Sequence, residues 1–167
     1  MKLWFALAAV LICTAAEASY QDPLVGAATQ SQPANPVSPA STTLFKMSGL
    51  AGTITPKRSG TVLIVISGFL TSTAVTAGVG IQVQISHGTG TAPVNAATLT
   101  GTQDGAVMKY TIPSTAIAAD VMQPFSVNAV VTGLTKGTAY WIDLAAESIV
   151  TASVIGISNI SISAFEQ

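Results

Sequence analysis

The sequence predicts an all-β fold, an antiparallel sandwich of two sheets. Three observations predict it. From Thr43 to the C-terminus, roughly seven to ten short runs with a side-chain period of two follow one another at even spacing, with turn residues between them. No stretch holds a 3.6-residue period long enough for a helix to organise the fold. Two alternating runs, one through Phe125, Val127, Ala129 and Val131 and the other through Tyr140, Ile142 and Leu144, flank the glycines Gly133 and Gly137, which reach positive φ without steric cost. This last pair predicts a β-hairpin or a sheet-to-sheet corner. Within it Leu134, Gly137 and Tyr140 match the pattern of a tyrosine corner, in which a tyrosine hydroxyl turns back onto the backbone a few residues upstream.

The chain begins with Lys2, an apolar run from Leu3 to Cys13, and Ala16-Glu17-Ala18, the pattern of an export signal cleaved after Ala18. The run is too short for a transmembrane helix, which needs about 20 apolar residues, so no stable membrane anchor is expected. Lipid attachment at Cys13 would want a small residue where Ile12 stands. The mature chain would then contain no cysteine, and no disulfide would hold it. Ser19 to Thr42, with Pro23, Pro33, Pro36 and Pro39 among Gln, Ser and Ala, reads as an extended arm that needs a partner to fix it. The sandwich domain is expected from Thr43 to Gln167.

Short strands are expected at Thr43–Met47 and Gly52–Pro56, then a turn at Pro56–Gly60. Thr61–Leu70 is the strongest strand, and it is apolar on both faces: Val62, Ile64 and Ile66 on one, Leu63 and Val65 on the other. One face fills a core and the other wants a second partner. Parity does not say which is which, so Val62, Leu63 and Val65 are all candidate interface residues. Val79–Ser86 alternates cleanly, with Ile81, Val83 and Ile85 inward and Gln82 and Gln84 outward. His87–Pro93 reads as a loop, Ala96–Leu99 as a weak strand, Asp104-Gly105 as a turn before a strand at Ala106–Ile112, and Ala116–Met122 as a helical turn or loop. In Ser153–Phe165 the apolar parity switches between Ile157 and Ile160, which a bulge near Ser158-Asn159 would repair. A jelly roll fits this length and strand count best; a fibronectin- or immunoglobulin-like sandwich is the alternative.

Composition narrows function. Basic and acidic residues nearly balance, six against seven, which argues against nucleic acid as a partner. Charged residues make up only 8% of the chain, where about 25% is usual, so much of the surface is uncharged or hidden in an assembly. Beyond the signal there is one histidine, His87, no thiol and no Gly-x-Ser-x-Gly elbow, so the chain is read as no enzyme, with no cofactor and no metal site. Asp104, Asp120 and Asp143 are scattered, and Asp143 alternates outward as a surface residue. Gly88-Thr89-Gly90-Thr91 lacks the Lys-Ser/Thr ending of a phosphate loop, and the Asn159-Ile160-Ser161 sequon falls inside a strand. Trp141, opposite in parity to Tyr140, faces away from that core, where it can stack on a sugar or anchor an interface.

Two blocks carry a resemblance. Gly52-Thr-Ile-Thr-Pro-Lys-Arg-Ser-Gly-Thr-Val-Leu-Ile-Val-Ile-Ser-Gly68 and Pro124–Gln167, with its ending N-I-S-I-S-A-F-E-Q, resemble phage and prophage-encoded β-domains that look like trimeric jelly rolls of the tumour necrosis factor or complement globular-head type. The resemblance implies a homotrimer on a virion surface, as a fibre, spike or decoration, and transfers no active site. A secreted bacterial adhesin or carbohydrate-binding module, with a cell-surface glycan as partner, is the alternative.

Overall fold

The computed structural model describes residues 26–36, 39, 41–72, 78–112, 121–150 and 155–167. The expected signal at Met1–Ala18, Asp120, and most of the Ala116–Met122 turn lie outside the described residues.

The strands are β1 (Ala28–Ser31), β2 (Lys46–Met47), β3 (Gly52–Ile54), β4 (Val62–Ser72), β5 (Gly80–Thr89), β6 (Thr102–Thr111), β7 (Val121–Val131), β8 (Tyr140–Ile149) and β9 (Ile155–Glu166). One sheet, A, has the order β1-β9-β4-β7; the other, B, has β2-β8-β5-β6, with β3 also on β8. All pairs are antiparallel. Since β2 and β3 both lie along β8, they form one interrupted edge strand. Apart from β5 to β6, every strand-to-strand connection from that edge strand onward changes sheet. That is the order of a jelly roll, not of an immunoglobulin-like sandwich. For the same reason Val131–Leu144 is a corner between sheets rather than a hairpin.

Alternation sets the core. The even residues of β4 (Val62, Ile64, Ile66 and Leu70) are buried against Ile81, Val83 and Ile85 of β5 and Ile142 and Leu144 of β8. Each such side chain contributes about 1.5–3 kcal/mol relative to its exposed state. Gly68 interrupts the row because the Phe125 ring fills its place: a Cβ there would lie 3.0 Å from Phe125 Cε1. The expected bulge in β9 is present. Pairing of β4 with β9 slips between Ser67↔Ser161 and Phe69↔Ser158, and Asn159 takes φ +51°. Ile155 and Ile157 before the slip and Ile160 and Ile162 after it are thereby all buried.

Several expectations shift. β1 falls inside the supposed arm and pairs Ala28–Ser31 with Ile162–Phe165, so the sandwich starts before Thr43. Its partner is the chain's own C-terminal strand, whose edge hydrogen bonds would otherwise go unpaired. Asp104-Gly105 is no turn; both lie within β6, where the register shifts between Val83 and Ile85 and Gly105 takes φ +70°. Ala96–Leu99 yields only an isolated bridge from Thr98 to Lys46.

Both open sides of the sandwich are closed by hydroxyls. Thr29 Oγ1–H donates to Thr53 O at 2.8 Å between β1 and β3, and Tyr110 Oη–H donates to Ser126 O between β6 and β7. Each bond occupies a carbonyl on an edge strand that a passing chain could otherwise pair with.

Candidate contact face and the buried polar groups

The even face of β4 being core, Val62 is excluded as an interface residue: it is buried inside the sandwich. Leu63 and Val65 fall on the outer face of sheet A. Register places Leu63 between Val130 of β7 and Phe165 of β9, and Phe165 beside Ala28 of β1. Val130 is 61% exposed and Phe165 45%. Farther along, Val65 lies between Asn128 and Ser163, Ser67 between Ser126 and Ser161, Phe69 opposite Pro124, and Thr71 opposite the exposed Met122. None of these outward side chains is charged. The face is therefore an uncharged surface with an apolar row at one end and a second apolar group, Phe69 with Met122, at the other.

The outer face of sheet B is different, because the chain covers it along β8. Trp141 does point away from the main core, as its parity requires, yet it is only 6% exposed. It packs with Met47 and Ala145 under Phe45, Ala92 and Ala97, and its Nε1–H donates to Thr89 O at 3.2 Å. Trp141 is thus no free interface or sugar platform. Gly88 and Gly101 admit its ring: a Cβ at Gly88 would sit 2.4 Å from Cζ2, and one at Gly101, where φ is +79°, 2.3 Å from Cη2. The glycine-threonine segment serves the indole.

Asp143, read as a surface residue, is wholly buried beneath the same cover. Its carboxylate accepts from Gly49 N–H at 2.9 Å, Leu50 N–H at 2.8 Å and Leu144 N–H at 2.8 Å. Gly49 and Leu50 lie where the edge strand breaks between β2 and β3, with Gly49 at φ +72° and Ala51 at +51°. The carboxylate replaces the ladder bonds lost at the break. Burial pushes its pKa above the ordinary 3.8, against the pull of the Leu50, Gly49 and Leu144 hydrogen bonds.

His87 likewise leaves its expected loop. It lies in β5, 8% exposed, with Nδ1–H donating to Asp104 Oδ2 at 2.5 Å and its ring edge-on to Tyr140 at 5.7 Å. Tyr140 Oη in turn accepts from Thr135 N–H at 3.0 Å, the geometry of a tyrosine corner. Leu134 N–H and Gly137 N–H donate to Gly60 O and Pro56 O, at 2.9 and 2.8 Å. The two turns that cross between the sheets at this end are therefore stitched together.

Glu166 had no signal in the sequence. Its carboxylate accepts from the N–H groups of Lys57, Arg58, Ser59 and Gly60 in the β3–β4 turn at 2.6–3.2 Å, and from Ala27 N–H at 3.0 Å. Desolvation opposes the charge, but the Ala27, Lys57, Arg58 and Ser59 hydrogen bonds hold the carboxyl well below the usual carboxylate range. A convergence of turn N–H groups on a residue over a hundred positions away leaves no local pattern to read.

Among the described residues, no three His, Cys, Asp or Glu gather where one metal ion could be held, and no helix is long and apolar enough to cross a membrane. A cleft of about 420 Å³ lies where the N-terminal segment passes the β9 bulge, lined by Gln32, Pro33, Asn35, Asn159 and Ile160.

No protein-family model and no curated protein matches the sequence. Among solved structures, the chain is similar to dimeric latent PorU from Porphyromonas gingivalis, with 11% identity over 84% of this chain and a TM-score of 0.40. It spans only 13% of the PorU chain. It is also similar to the CBM22-1 xylan-binding domain of Paenibacillus barcinonensis Xyn10C, with 9% identity, 82% of this chain and 99% of that one covered, and a TM-score of 0.34.

Proposed function

We propose that the protein is a non-enzymatic structural subunit of a virion surface, a fibre, spike or decoration component, that works by assembling with copies of itself. The observation that supports this reading is the outer face of sheet A, uncharged across four strands and apolar at both ends. A face of that kind suits burial against protein better than contact with water. The polar groups that chemistry would need have structural partners: Asp104 takes the His87 N–H, Asp143 bridges the β2–β3 break, and Glu166 ties the β3–β4 turn to the C-terminus. The virion itself comes from the resemblance in Gly52–Gly68 and Pro124–Gln167.

A secreted glycan-binding role is the second reading. The amide side chains of Gln32, Asn35 and Asn159 around the cleft at the β9 bulge favour it, since neutral amides suit sugar hydroxyls. The burial of Trp141 removes the stacking ring that role would have used.

Mass spectrometry of purified particles, together with sedimentation of the purified protein, tests the proposal. A particle-associated, oligomeric protein is expected. A monomer found only in the medium would overturn it.

A further inference from the structure

We infer that the outer face of sheet A receives a second copy of this chain face to face, about a two-fold axis, with Val130, Leu63 and Phe165 at the contact. The inference rests on the assembly reading above and adds the face-to-face packing, the residues at the contact and the symmetry.

Four observations lead to it. The face bears no charge among its described outward side chains, so bringing two identical faces together costs no like-charge repulsion and strands no ion. The competing route, strand against strand at the sheet edges, is obstructed where Thr29 holds the Thr53 carbonyl and Tyr110 holds that of Ser126. On the opposite side, sheet B lies under the chain's own segments around Phe45, Ala92 and Ala97 along β8, and its open part at β5 and β6 carries polar and charged side chains such as Gln82 and Lys109. The size is adequate: strands about 4.8 Å apart rising about 3.3 Å per residue make a surface of about 17 by 35 Å, roughly 600 Å². Stable interfaces begin at about 600 Å² per partner.

Symmetry follows from sheet A's outer face being, among the described residues, the one uncharged sheet face left open. A single patch that meets itself does so about a two-fold axis, because residue i contacts j while j contacts i. A three-fold ring needs two different complementary patches on each copy. The geometry therefore points to two copies at this face, where the resemblance implied three.

The test is light scattering and sedimentation velocity on the full chain and on three variants at micromolar concentration. Val130→Lys and Phe165→Lys change exposed side chains on the face, and Val107→Lys changes an exposed side chain on β6, at the far edge of sheet B. Thermal melts confirm that each variant folds. The expected result is a dimer for the parent and for Val107→Lys, and a dissociation constant at least tenfold higher for the other two. A dimer that survives both face substitutions overturns this contact and leaves the assembly reading standing. A trimer dissociated by them overturns the two-fold axis. A parent that is monomeric overturns both this inference and the reading it rests on.

Discussion

The Asp143 carboxylate, wholly buried on the outer side of sheet B, accepts the Leu50 N–H at 2.8 Å across 93 residues of chain. With the Gly49 bond beside it, this holds β2 and β3 along one neighbour despite the break between them. Asp143→Ala should leave the Gly49, Leu50 and Leu144 amides without this acceptor and destabilise the fold by about 2–4 kcal/mol in denaturant melts. The pH dependence has a definite sign. The folded pKa lies above 3.8, so the folded state binds the proton more tightly than the unfolded chain. Asp143 therefore lowers stability as pH rises from about 4 through its folded pKa. Asp143→Asn should remove that slope while also destabilising, because its amide NH₂ faces donors. A slope unchanged in the variant would assign it to another group.

Glu166 has the opposite sign. Its folded pKa is held below the ordinary 4.5, so it stabilises the fold above that pH and the contribution fades as pH falls toward the folded value. Glu166→Gln should flatten the acid limb of the stability curve below about pH 4.5 and speed amide exchange at Lys57–Gly60. Exchange rates equal to the parent's would mean the turn does not depend on this carboxylate.

Tyr140 contributes through its hydroxyl and its ring. Tyr140→Phe removes the acceptor of the Thr135 N–H and should cost about 0.5–1.5 kcal/mol, since that group can turn to water. Tyr140→Ala should cost about 2–4 kcal/mol, the ring being half-buried against His87 and the core. A neutral Phe variant in denaturant melts would show that the hydrogen bond does not hold the corner.

The cover over Trp141 leaves no room for side chains at its two glycines. Gly88→Ala and Gly101→Ala should each destabilise by about 1–3 kcal/mol through overpacking, with added strain at the positive φ of Gly101. The effect at Gly88 should shrink in a Trp141→Phe background, which removes the ring atoms involved, and that at Gly101 less, since a Cβ there also lies 2.5 Å from His87 O. Equal effects in both backgrounds would contradict the packing account.

Removing residues up to Thr42 deletes β1 and leaves the β9 edge from Ile162 to Phe165 unpaired. That truncated chain should melt lower and aggregate more readily than the full chain, by turbidity on heating. Equal behaviour would make β1 dispensable.

What could be read in the sequence was what depends on neighbours along the chain. The two-residue period of Val62–Leu70 and Val79–Ser86, the parity switch that requires a bulge at Asn159, and the glycines of the Leu134–Tyr140 corner are all local. They sufficed for the all-β sandwich, while the jelly-roll order, rather than its immunoglobulin-like alternative, is set by the strand pairing. They also assigned Trp141 and Asp143 correctly to the side away from the main core, because parity is a property of the pleat.

Whether that side meets water is decided elsewhere. Trp141 and Asp143 are buried because Phe45–Leu50 and Ala92–Ala97, each remote in sequence, fold over them. His87 meets Asp104 through a strand pairing that the glycines around it concealed, and Glu166 meets Lys57–Gly60 across more than a hundred residues. The even face of β4 became the core, and Leu63 and Val65 the outer face, only once sheet B was packed against one side of a strand apolar on both. The sequence by itself determined which side chains share a face; the tertiary structure alone decided which faces are covered, since burial depends on contacts between distant segments that no local period records.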